Sequence, residues 1–272
     1  DLIRKIMAEQ NPDQTKDLIT IAQDFKGLMN LDENELSNRY NIVKIEELKQ
    51  QYPDFEFELY QDGNIEATLI NYEGKTLSGL PSGLESLDIW GCPNLEVLPE
   101  FPSNLERLRI ESCPNLEALP ELPSGLESLE VWTCPNLEAL PVLPTGLEKL
   151  GISSCHNLEA LPVLPTGLKG LYIEDCPNLE SVPEFPSGLV DLKIWDCENL
   201  ETLPELPSGL ESLEIMWCNK LETIPEFPSG LESLEIKWCK NLATLPAFPT
   251  GLKTLHLEGC DNLESLPKFP SG

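Results

Sequence analysis

The chain has 272 residues, 47 of them acidic against 18 basic, for a formal net charge of -29. A field of that sign repels nucleic acid and anionic membrane surfaces, and neither is expected as a partner. No run of about 18 apolar residues and no signal-peptide pattern occurs, which excludes an obvious membrane span.

Residues 1–76 do not repeat and are read as an N-terminal cap of helices and a hairpin. Leu2, Ile3, Ile6 and Met7 suggest a short first helix. Asn11-Pro12-Asp13-Gln14 has the form of a helix start, with Asn as N-cap and Pro at the first helical position. Leu18, Ile21, Ala22, Phe25, Leu28 and Met29 continue it with helical spacing. A further helix is expected at about 43–52, ending before Pro53. Phe55–Tyr60 and Ile65–Leu69 both alternate with period two around Gln61-Asp62-Gly63-Asn64, which predicts a hairpin.

From residue 77 to residue 272 the chain is an array of about nine repeats. Cys92, Cys113, Cys134, Cys155, Cys176, Cys197, Cys218, Cys239 and Cys260 recur every 21 residues without interruption. A fixed period of this length is the mark of a solenoid. In each turn Leu84, Leu87, Ile89, Cys92, Leu95, Leu98, Phe101 and their equivalents form apolar columns. The alternation at Leu87-Asp88-Ile89 predicts a short strand with one face inward, and a strand that returns after a whole turn pairs in parallel. Two prolines per turn fix φ and remove donors, so the return path is extended and polyproline-like rather than helical. Gly83 and its equivalents, with Asn104 once, are expected to supply a tight turn or a positive φ before the strand.

The nine cysteines share one column. Side chains in such a ladder run side by side, which does not suit an S–S dihedral. They are read as buried free thiols with weak S–H bonds to carbonyls, and this favours a reducing compartment, with the cytoplasm as the expected location.

The pattern L-x-x-L-x-I-x-x-C-x-x-L is the leucine-rich-repeat signature with Cys in the Asn/Cys position. With its 21-residue period and L-P-x-x-P-x-G return, the array resembles the LPX-type repeats of bacterial type III effectors, the YopM-like and IpaH-like proteins. Ile-Trp-Asp-Cys-Glu-Asn-Leu at 194–200 is also similar to repeats of plant intracellular resistance proteins. The resemblance implies a leucine-rich-repeat horseshoe with a parallel sheet on its concave face, working as a protein-binding scaffold. Three functions stay open: an effector-like scaffold, the recognition part of an effector ubiquitin ligase, and a structural or designed array without a natural partner. The ligase members use a catalytic cysteine in a separate domain; every cysteine here is in the ladder, so no catalytic residue is assigned.

With Leu87 and Ile89 inward, the columns of Ser86, Asp88 and Trp90 face outward, and Gly91 lies at the rim. These columns vary from repeat to repeat while the apolar ones barely do. All five tryptophans fall in them. Trp90 and Trp132 flank Arg107 and Arg109, and Trp195, Met216, Trp217 and Trp238 form a second patch. Together with Tyr172, these are the candidate partner-binding residues, since Trp, Tyr and Arg are the usual interface anchors. Gly151, Ser153 and Gly170 are expected to leave a shallow gap between the patches. The acidic frame points to a protein partner with a basic surface.

Glu96, Glu117, Glu138, Glu159, Glu180, Glu201, Glu222 and Glu264 make an acidic column, read as a solvated edge rather than a cation site. No phosphate loop, nucleophile elbow or zinc spacing is present, and no cofactor or metal is expected. Cys155-His156 is read as a buried thiol beside a loop histidine. No C-terminal cap is evident, and the edge of the last strand predicts end-to-end self-association or fraying.

Overall fold

A computed structural model of the chain describes residues 44–59 and 65–269. The chain divides into two compact units, Asp1–Glu47 and Leu48–Gly272. Of the first unit only residues 44–47 are described, and they are helical; the helices expected near residues 2–7 and 11–29 lie outside the described residues. In the second unit residues 48–51 are helical and stop before Pro53, because the residue preceding a proline is driven out of the helical region. Among the described residues no helix is long and apolar enough to cross a membrane.

The second unit is built on one sheet of eleven strands in chain order. β1 (Phe55–Leu59) and β2 (Ile65–Ile70) pair antiparallel as the expected hairpin. β2 then pairs in parallel with β3 (Ser86–Trp90). One strand per turn follows: β4 (Arg107–Glu111), β5 (Ser128–Trp132), β6 (Lys149–Ser153) and β7 (Gly170–Glu174). β8 (Asp191–Trp195), β9 (Ser212–Met216), β10 (Ser233–Lys237) and β11 (Thr254–Glu258) complete it. The register places Leu87 beside Leu108 and Leu108 beside Leu129. Identical residues therefore stack on one another. Between β2 and β3 the offset is 20 rather than 21 residues, with Ala67 beside Leu87 and Leu69 beside Ile89.

Leu84, Leu87, Ile89, Cys92, Leu95 and Leu98 are all buried, as are nearly all their equivalents. Two tight turns close each coil, shown by the N–H of Leu95 on the carbonyl of Cys92 (3.3 Å) and that of Leu105 on Pro102 (3.2 Å). The return side is extended and carries only single parallel bridges, such as Thr76 with Val97 and Ala118 with Ala139. Phe227, Phe248 and Phe269 stack along it at 6.3 and 5.3 Å. At the far edge Leu255 and Leu257 of β11 are only half-buried, whereas Leu234 and Ile236 one strand back are buried.

The glycine column supplies the expected tight turn before each strand, the N–H of Leu126 closing it on Pro123 at 3.1 Å. Only the first of these glycines takes a positive φ: Gly83 has φ +75°, and the equivalent later glycines do not reach the left-handed region. At two of them the space is tight: a Cβ on Gly167 would lie 2.8 Å from the carbonyl oxygen of Thr145 in the preceding turn, and one on Gly209 3.0 Å from that of Ser187. Close stacking of successive coils requires the missing side chain there.

The positive-φ column is the rim, one residue after each strand. Asn71, Gly91, Ser112, Thr133, Ser154, Asp175, Asp196, Trp217, Trp238 and Gly259 all have φ between +49° and +66°. The kink turns each of their N–H groups except that of Gly259, which follows the last strand, onto the last carbonyl of the next strand, as in Trp217 to Lys237 (2.9 Å).

Candidate partner-binding face

Along each strand the inward leucine and isoleucine alternate with outward residues, so the variable columns lie together on the outer face of the sheet. Trp90 is 47% exposed and Arg107 is exposed. Arg109, Trp132, Tyr172, Trp195 and Trp238 are half-buried, and Trp217 is 41% exposed. Met216 departs from the expectation: it faces outward yet is only 9% exposed. The register sets it between Trp195 and Lys237, whose long side chains flank it on both sides.

In the first patch Arg109 is already engaged. Its Nη2 donates to Glu111 Oε2 at 2.7 Å, its Nε lies 3.9 Å from Glu130 Oε2, and its guanidinium sits 4.3 Å from the centre of the Trp132 ring. This is a cation held between an indole face and a carboxylate. Thr68, Asp88, Trp90, Arg109 and Glu111 line a shallow depression of about 350 Å³. Burial, helped by Glu66, Glu130 and Glu111 against the opposing Arg109, pushes the Asp88 carboxyl up to about 6.

The gap between the patches is narrower than expected. Gly151 is buried, and a Cβ there would lie 3.5 Å from Trp132 Nε1, so the indole leans over it. Gly170 has open space above it. The Nε1 atoms of Trp132 and Trp195 are buried without a protein acceptor.

In the second patch Tyr172 donates its hydroxyl to Glu174 and meets Trp195 edge-on, with ring centres 5.2 Å apart at 87°. Lys193 pairs with Glu214 at 2.8 Å and lies 5.9 Å from the Trp195 ring centre. Trp217 and Trp238 stack, with centres 4.7 Å apart and planes within 13°. A side chain on Gly259 would run into the Trp238 ring, so the indole of Trp238 covers that glycine.

These two tryptophans are strained. Bulky residues at positive φ are outliers, at about 1–3 kcal/mol each, while the stack returns about 0.5–1.5 kcal/mol. The fold accepts Gly, Ser, Thr or Asp in the same column, so it does not require them. The rim conformation was hidden because Ser112, Thr133, Ser154, Trp217 and Trp238 in this column are not typical of it. The carboxylates that clamp Arg109 were within reach of the sequence, Glu111 two residues along the same strand and Glu130 its neighbour in the 21-residue register.

All nine cysteines are free, eight of them buried and Cys260 half-exposed. Each points its thiol at the carbonyl two residues back, from 3.3 Å at Cys176 to 3.6 Å at Cys92. Burial pushes Cys155, Cys176 and Cys218 up to about 12. His156 Nε2 lies 3.0 Å from Asp175 Oδ2, so its partner is a carboxylate on the next turn. In the acidic column Glu96 takes an ion pair from Lys75 at 2.6 Å. Among the described residues no three His, Cys, Asp or Glu side chains converge as a metal would need.

Strand register, apolar columns and extended return path make the chain a leucine-rich-repeat solenoid of about nine turns. It is similar to the solved structure of YopM from Yersinia enterocolitica WA-314, with 26% identity over 69% of this chain and 53% of that one (TM-score 0.36). It is also similar to the leucine-rich repeat domain of the type III effector XopL, with 23% identity over 75% and 73% (TM-score 0.45). A third similar structure is YopM from Yersinia pestis, with 21% identity over 90% and 94% (TM-score 0.28). The chain thus spans 53% of the first of these proteins. No protein-family model and no curated protein sequence matches it.

Proposed function

We propose that the chain is a protein-binding scaffold, and that a partner with a basic surface lies across the outer face of its sheet. The observation that carries this reading is the placement of the tryptophans: all five stand on that face or its rim and none in the core. Indoles left half-exposed beside one another are the anchors of interfaces. Charge supports the sign of the partner. Arg109, Lys193 and Lys237 are each paired with a carboxylate of the face itself, which leaves the remaining acids, within a net charge of -29, to meet an incoming cationic surface. Nine free thiols suit a reducing compartment, and the resemblance of the repeats to those of type III effectors extends the reading to the cytoplasm of a host cell.

Capture with immobilised wild-type chain and with Trp90→Ser/Trp132→Ser tests this, because serine already occupies the same column at Ser153. A protein retained by the wild type, released by added salt and absent from the variant supports the scaffold. Equal retention by both chains, or retention indifferent to salt, overturns it.

A further inference from the structure

The Arg109 site shows how this face holds a cation: an indole below it (Trp132) and a carboxylate beside it (Glu111). At the other end of the face the same two parts occur without the cation. Trp217 has one ring face covered by Trp238 and is still 41% exposed, which leaves its opposite face as the one a ligand would stack on. The residue on that side of the rim ladder is Asp196, one strand spacing away, about 4.8 Å. Its N–H is tied to the carbonyl of Met216 at 2.8 Å, which fixes it beside Trp217.

Asp196 has no ion pair among the described residues, and the groups acting on it are all acidic. Burial, then Asp175, Glu198 and Glu174, hold its carboxyl above the usual range. The neighbouring Asp175 is occupied by His156. Asp196 is therefore the uncompensated carboxylate of the rim, next to an indole that the chain keeps at the cost of backbone strain.

We propose that Trp217 and Asp196 form a receptor for one arginine side chain of the partner, its guanidinium stacked on the free indole face and paired with the carboxylate. This rests on the reading of the outer face as the binding surface for a basic protein, and gives that partner one required residue. Arginine fits better than lysine because its planar fork both stacks on the ring and meets a carboxylate with two donors.

The test is a titration of the full chain, labelled at its indole nitrogens, with the peptide acetyl-Gly-Arg-Gly-amide. The Trp217 signal is assigned by its disappearance in Trp217→Phe. The Trp217 signal is expected to move saturably, and Asp196→Asn to weaken the peptide about tenfold. Asparagine tolerates positive φ, so the rim backbone is kept in that variant. The citrulline peptide, which keeps the shape and loses the charge, is expected to leave the signal in place. Equal responses to arginine and citrulline, an unchanged affinity in Asp196→Asn, or a lysine peptide binding as well as arginine would each overturn the proposal. A peptide that binds while capture fails leaves the rim site standing and removes the scaffold; the reverse result does the opposite.

Discussion

Leu108 and Arg109 are neighbours in the chain, yet they obey different rules because they face opposite sides of one sheet. Inward, Leu87, Leu108, Leu129 and Leu150 repeat without change, since each must fill the space left by the turn below. Outward, Asp88, Arg109, Glu130 and Gly151 share nothing but their register. The inner face is fixed by packing, and the outer face is left for recognition. The rim lies between the two regimes: its φ is dictated by the turn, while its side chains are not.

The largest effect is expected from the inner face. Leu150 is 2% exposed, and Leu150→Ala should cost about 2–5 kcal/mol by opening a cavity, read as a lower urea midpoint. A smaller loss, about 1–3 kcal/mol, is expected for Gly167→Ala, whose new methyl meets the Thr145 carbonyl. Gly125→Ala is its control, because there the nearest atom is 3.9 Å away and little should change.

The thiol ladder sharpens the contrast through pH. Cys155, Cys176 and Cys218 lie at about 12 in the folded chain against an ordinary value of 9.0. Below pH 9 they are protonated in both states and stability does not depend on them. Between 9 and 12 the unfolded chain releases protons that the folded chain retains, so stability falls as pH rises. The urea midpoint is expected to drop between pH 8 and about pH 10.5, and to drop less in Cys155→Ala/Cys176→Ala than in the wild type.

Most of the inner face was legible in the sequence, because a 21-residue period aligns every column by inspection. Leu87, Ile89 and Cys92 lie where the alternation puts them, and the hairpin at Phe55 and Ile65 forms as its period-two pattern predicts. The pairing of β2 with β3 was not legible, since its offset of 20 residues and Tyr72 in place of cysteine break the pattern. On the outer face, the sequence shows which residues emerge but not how they lean. Met216 is covered by residues 21 positions away, Trp132 folds over Gly151, and Arg109 is claimed by Glu111 before any partner arrives. Such contacts depend on the rotamers chosen, along the strand for Arg109 and across strands for the others, which no linear pattern records.

The most direct measurement is the urea midpoint of Trp217→Gly/Trp238→Gly, set beside its retention of whatever partner the wild-type chain captures. Relief of the strained rim offsets loss of the stack, so stability should not fall below that of wild type, while the partner is lost. A fall in midpoint as deep as that of Leu150→Ala, or full retention of the partner, would contradict the division of labour between the two faces.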